Sequence, residues 1–166
     1  DRNGDGIITL ADTYERLREL GFGRIKSAAA AMLIHMGLGP KTSKRFTLDI
    51  DIRNIHLGIH DSDTGVYDKD GGFVPAAFER LFSRFDKDGD GALNEYELKK
   101  MLAPHAQERP GGALAAKAEF SLLLEIAADR NALVNDKRVQ AISRDRLVQF
   151  YDGSLLYEIA NANKPR

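Results

Sequence analysis

At 166 residues, with 43% apolar and 30% charged side chains, the chain has the composition of one compact globular domain able to bury a core. Its 24 basic and 25 acidic residues leave a net charge of −1, which argues against the basic excess of a nucleic-acid-binding face. With no cysteine, disulfides, thiolate metal sites and thiol chemistry are excluded.

The chain opens on an acidic, glycine-bearing pattern. A twelve-residue Ca²⁺ loop of the EF-hand type takes oxygens from positions 1, 3, 5, 7, 9 and 12 and needs glycine at position 6 for its sharp turn. Residues 1–12 fit this template, with Asp1, Asn3 and Asp5 at the first three ligand positions and Gly6 at the turn. Ile7 offers its carbonyl, Thr9 follows, and Asp12 closes the loop. Aspartate is one methylene shorter than the usual closing glutamate, so bidentate closure is harder. Ca²⁺ is expected to bind weakly there and Mg²⁺ to compete better. The first residue is already position 1 of the loop, so residues 1–166 are expected to be one domain truncated before residue 1.

Tyr14, Leu17 and Leu20 mark a helix that Gly21 and Gly23 interrupt. Residues 25–38 form the longest apolar stretch, broken by Lys26, Ser27 and His35. That is short of the ~20 apolar residues needed to span a bilayer. It reads either as a buried helix or as a segment dipping into a lipid surface. Residues 48–59 are ambiguous. Leu48, Ile50 and Ile52 alternate as in a strand, whereas Ile52, Ile55, His56 and Ile59 fit a helix. Residues 66–77 resemble a degenerate loop, with Asp68, Asp70, Gly71 and Phe73 in register but Val66 and Ala77 where carboxylates belong. They are expected to pair, without calcium, with the loop at the chain start.

Phe78, Leu81, Phe82 and Phe85 form one apolar helical stripe leading into the strongest motif of the chain. In residues 86–97, Asp86, Asp88 and Asp90 take the first three ligand positions and Gly91 makes the turn. Ala92 offers its carbonyl, Asn94 holds position 9, and Glu97 closes the loop. Leu93 is the apolar residue that pairs with a partner loop. Leu98, Met101 and Leu102 continue as the exiting helix. A Pro- and Gly-containing loop over 103–112 precedes an apolar helix over 113–128. Residues 127–138 form a second degenerate loop, with Asp129, Asn131, Val134 and Asn135 in register, and Val139, Ile142, Leu147 and Phe150 suggest a last helix. The expected fold is mainly α, with EF-hand-like helix-loop-helix units paired through short β-strands.

The order of segments then resembles one family. DRNGDGIITLADTYERLRELGFG at the start resembles the opening EF-hand of caleosins, and NIHLGIHDSDTGVYDKDGGFVP over 54–75 is similar to the family's stretch of NIH, a second histidine, SDSG, YD and GRFVP. GALAAKAEF over 112–120 resembles its GW…AAK…EW, and YDGSLL over 151–156 its FDGSLF. Caleosins, or peroxygenases, are Ca²⁺-dependent haem proteins of lipid droplets and related membranes. They pass one oxygen from a lipid hydroperoxide to an unsaturated fatty acid.

That resemblance implies Ca²⁺ and haem as cofactors, with lipid hydroperoxides and unsaturated fatty acids as substrates. It implies a cytoplasmic protein, peripheral on lipid droplets or membrane, and no nucleic-acid partner. His60 aligns with the family's haem-associated histidine before SDSG and is the implied catalytic residue; His56 aligns with the histidine of NIH as a second cofactor-binding residue. Taken alone, these two imidazoles four residues apart could instead clamp a divalent metal on a helix, or lie on the surface near a turn. Several positions depart from the family. The apolar region is short and holds only Pro40, Asp61 and Gly72 replace a glycine and an arginine, and Ala113 and Phe120 stand at the tryptophan positions. The rival reading is a Ca²⁺-binding scaffold that has lost haem. A Ca²⁺ sensor is disfavoured, since only Met101 of the three methionines lies in a helix flanking a loop.

Overall fold

The computed structural model describes residues 1–43, 47–58, 64–102 and 112–164. It is mainly helical, with two small antiparallel sheets. Its contacts divide into two units, Asp1–His60 with Leu156–Arg166, and Asp61–Leu155.

In the first unit, strand β1 (Ile7–Ile8) leaves the opening acidic loop and pairs antiparallel with β2 (Ile50–Asp51), Ile8 opposite Ile50. The expected partner, residues 66–77, is therefore replaced by a segment whose sequence was ambiguous. Both readings of that segment hold in part, because β2 runs directly into a 3₁₀ helix, Ile52–Gly58. Helix α1 (Leu10–Glu19) starts at Thr9, whose side chain accepts from the Asp12 amide while the Asp12 carboxylate accepts from the Thr9 amide. This reciprocal cap satisfies two helix-end groups at once.

Helix α2 (Arg24–Thr42) covers the long apolar stretch and packs on α1, β2 and the 3₁₀ helix. Its buried face is made of Ser27, Ala31, His35, Gly39 and Thr42, whereas Ile25, Met32, Leu33 and Met36 face outward, Ile25 at 89% exposure. Close packing explains the inversion. A Cβ on Gly39 would lie 2.7 Å from the Leu48 backbone, so only glycine allows this approach. His35 is buried completely. Its Nδ1 lies 2.5 Å from the Leu48 carbonyl, which can only accept, so Nδ1 donates; Nε2, 2.7 Å from Thr13 Oγ1, is then free to accept in the neutral ring.

In the second unit, Val66–Val74 closes on itself. Tyr67 bridges Phe73, and the Val74 amide donates to the Val66 carbonyl at 2.8 Å. A hairpin already paired internally explains why this segment does not serve the first loop. Tyr67 and Phe73 pack their rings on Tyr151, and Phe73 also packs on Phe78, at centroid separations of 5.9–6.5 Å. Helix α3 (Pro75–Phe85) buries Phe78 and Phe82, as its stripe predicts. The second acidic loop leads into β3 (Ala92–Asn94) and α4 (Glu95–Leu102). Helix α5 (Gly112–Ala127) follows, then β4 (Arg130–Val134) and β5 (Lys137–Ser143), turning at Asn135 and Asp136 with φ of 50° and 61°. Positive φ at both turn residues suits a tight hairpin.

The sheet order is β3-β5-β4, with Leu93 opposite Ile142. Val134, in register in the degenerate loop expected over 127–138, lies in the outer strand β4 and not beside β3. It also removes Val139 and Ile142 from the expected last helix. Helix α6 (Arg144–Tyr151) begins only after Ser143, whose hydroxyl caps it by accepting from the Arg146 amide. A further helix, α7 (Ser154–Ala162), belongs from Leu156 onward to the first unit. Val66, Phe78, Leu93, Leu98, Ile142, Leu147 and Leu155 are the largest fully buried apolar side chains of the second unit.

Candidate metal centre

The loop over residues 86–97 is shaped by its own side chains. Asp86 accepts from the amides of Gly89 (2.9 Å) and Gly91 (3.2 Å), Asp88 from Asp90 (3.2 Å), and Asp90 from Ala92 (2.8 Å). Asp86 thus accepts on both carboxylate oxygens, and Asp88 and Asp90 on one each. Gly91, at φ 77°, supplies the left-handed turn that lets the chain wrap.

Glu97 completes the ring. It is buried at the start of α4, where Oε1 accepts from the Lys87 amide at 2.8 Å and Oε2 from the Asn94 side chain at 2.7 Å. Asp86, Asp88 and Glu97 each place a carboxylate oxygen within 4.8 Å of the others. Ligands held 2.3–2.6 Å from one Ca²⁺ lie no more than about 5 Å apart, so this donor set fits a hard cation. Asp90 stands outside that tightest group, at the loop surface.

Residues 1–12 repeat the pattern. Asp1 accepts from Gly4 (2.8 Å) and Gly6 (3.0 Å), Asn3 from Asp5 (3.2 Å), and Asp5 from Ile7 (2.8 Å); Gly6 stands at φ 86°. The difference is at the close. Asp12 accepts from the amide (2.9 Å) and hydroxyl (2.7 Å) of Thr9 and makes no described bond to Arg2, the counterpart of Lys87. Among the described residues, no group of three carboxylates converges in this loop.

The Thr9 side-chain and backbone hydrogen bonds hold the Asp12 carboxyl below the usual aspartate range. A depressed folded-state value stabilises the fold above the unfolded pKa, and the contribution is lost as pH falls through the folded one.

The histidines separate. His60 and His105 lie outside the described residues. His56 is exposed on the 3₁₀ helix, and both ring nitrogens of His35 have partners. The described residues alone therefore do not make a haem site.

A cavity of about 520 Å³ between α4, α5 and β5 was not visible in the sequence. Its residues come from three separate segments, so no local motif announces it.

A family model described as caleosin related protein matches residues 1–160. The chain is 37% identical to "Probable peroxygenase 4" of Arabidopsis thaliana, covering 96% of this chain and 80% of that protein. It is 33% identical to "Peroxygenase" of Lilium longiflorum (93% and 64%), and 31% identical to "Probable inactive peroxygenase-like protein" of Arabidopsis thaliana (86% and 66%). No solved structure matches the chain. The loops, the order of motifs and the match over nearly the whole sequence lead to one conclusion: the chain belongs to the caleosin family.

Proposed function

We propose that the protein is a calcium-binding, haem-dependent peroxygenase acting on lipids. The observation that carries the calcium half is the convergence of Asp86, Asp88 and Glu97 within 4.8 Å. Asp86, Asp88, Asp90, the Ala92 carbonyl, Asn94 and Glu97 are the assigned Ca²⁺ ligands. Asp1, Asn3, Asp5, the Ile7 carbonyl and Asp12 form a weaker second site. The ladders support EF-hand pairing with ion-free partners. Leu93, at position 8 of its loop, faces Ile142, and Ile8, also at position 8, faces Ile50. Ile50 and Ile142 thus stand where an ion-free partner would place its own position 8.

The peroxygenase half rests on family membership and on relatives that bear the name. In that reaction one oxygen leaves a lipid hydroperoxide, giving an alcohol, and adds across a carbon–carbon double bond of an unsaturated fatty acid, giving an epoxide. Haem would supply the redox chemistry, with His60 as its ligand and His56 nearby in sequence. The test is an absorption spectrum and epoxide assay on the full protein. A Soret band and epoxide formation, both lost in His60→Ala with Ca²⁺ binding intact, are expected. A Ca²⁺-loaded protein without a Soret band or turnover would instead establish the non-catalytic calcium-binding scaffold.

The exposed apolar side of α2 favours a peripheral position on a lipid surface. Ile25, Met32, Leu33 and Met36 project from the helix, and Ile52, Ile55 and Leu57 are exposed on the 3₁₀ helix. Among the described residues, no helix is long and apolar enough to cross a membrane.

A further inference from the structure

We propose that the cavity between α4, α5 and β5 is a binding site for the carboxylate end of a long-chain fatty acid. None of the assigned calcium ligands is among its described lining residues. Its volume, about 520 Å³, lies within the range of roughly 300–1,000 Å³ typical of small-molecule sites. Lys99 of α4 and Lys117 of α5 both line it, and Phe120 and Leu124 supply its apolar wall.

The lysines carry the argument. Lys99 sits over two rings, 5.2 Å from the centroid of Phe120 and 5.9 Å from that of Tyr96, which fixes its ammonium at the cavity without neutralising it. Neither Lys99 nor Lys117 forms a hydrogen bond or ion pair with another described residue. The two acids of the lining are already engaged. Glu95 accepts from the Gln140 amide at 3.2 Å, and Glu125 has a partner of its own.

Two lysines against two glutamates leave the lining neutral overall, which suits a single negative charge better than a phosphate dianion. A small anion would leave the half-buried Phe120 ring facing water, whereas an acyl chain covers it. A monocarboxylate with a long apolar tail meets both requirements. The choice of a fatty acid over other such anions rests on the lipid-substrate reading above.

The experiment uses the full, Ca²⁺-loaded protein and linoleate labelled with ¹³C at its carboxyl carbon, below the concentration at which it forms micelles. Binding is read from the carboxyl resonance and by calorimetry, so neither haem nor turnover is required. Linoleate should bind, and Lys99→Ala with Lys117→Ala should weaken it at least tenfold, while Lys99→Arg retains most of the affinity. Methyl linoleate should bind at least tenfold more weakly than the acid, and inorganic phosphate should not compete. An unchanged calcium titration and melting temperature in each variant keeps the comparison to the cavity alone.

Equal binding of acid and ester, unchanged binding in the double variant, or competition by phosphate would each overturn the site. The His60→Ala protein should bind linoleate normally. Failure of the haem reading and failure of this site are thus separately visible.

Discussion

Glu97 accepts a hydrogen bond from the backbone amide of Lys87, so one carboxylate ties the end of its loop to the second residue. Replacing it with glutamine keeps shape and hydrogen bonding but removes the charge and the bidentate oxygen pair. Glu97→Gln should lower Ca²⁺ affinity at least tenfold, roughly 1.4 kcal/mol or more. Calorimetry on the purified variant decides this, and unchanged affinity would remove residues 86–97 as the principal site.

The corresponding tie is missing in the first loop, where Asp12 is held by Thr9. Asp12→Glu adds the methylene needed to reach across. Ca²⁺ should bind more tightly at residues 1–12, with better selectivity over Mg²⁺. Competition titrations with the two ions on the full protein give the answer. Weaker Ca²⁺ binding would mean that the loop does not close through position 12.

Leu93 stands opposite Ile142, and both are fully buried. Truncating Leu93 to alanine leaves a cavity in the β3–β5 ladder and should cost about 2–5 kcal/mol. Urea unfolding in excess Ca²⁺ measures it. A loss below about 1 kcal/mol would indicate a contact that collapses freely.

The outward residues of α2 should contribute to surface binding and little to folding. Replacing Met32 and Met36 with serine should reduce sedimentation with phosphatidylcholine vesicles several-fold. Stability should stay within about 0.5 kcal/mol per site, as for exposed positions generally. A large drop in melting temperature, or unchanged vesicle binding, would count against the assignment.

The ligand spacing of both loops was legible because those oxygens are neighbours in sequence, and the folded chain only has to wrap them. The α3 stripe was legible for the same reason. The partner strands were not, because a ladder is decided by residues far apart along the chain. Of the alternating Leu48, Ile50 and Ile52 only Ile50 lies in a strand, and the pattern did not say which loop it would face. Likewise Val139 and Ile142 fit a helical period by coincidence and belong to β5. The buried face of α2 escaped hydropathy because it is built on smallness and hydrogen bonding, with Gly39 and His35 at its centre. Lys99 and Lys117 come together only when α4 and α5 are in place.

The inside-out helix α2 has a consequence for how relatives can diverge. Ser27, Ala31, His35, Gly39 and Thr42 answer to packing, and Gly39 in particular admits no larger residue. Ile25, Met32, Leu33 and Met36 answer to whatever lies outside. Selection can therefore retune greasiness on one side, residue by residue, while the opposite side keeps the shape. Two descendants of one ancestor could differ widely in where they dwell and still fold alike.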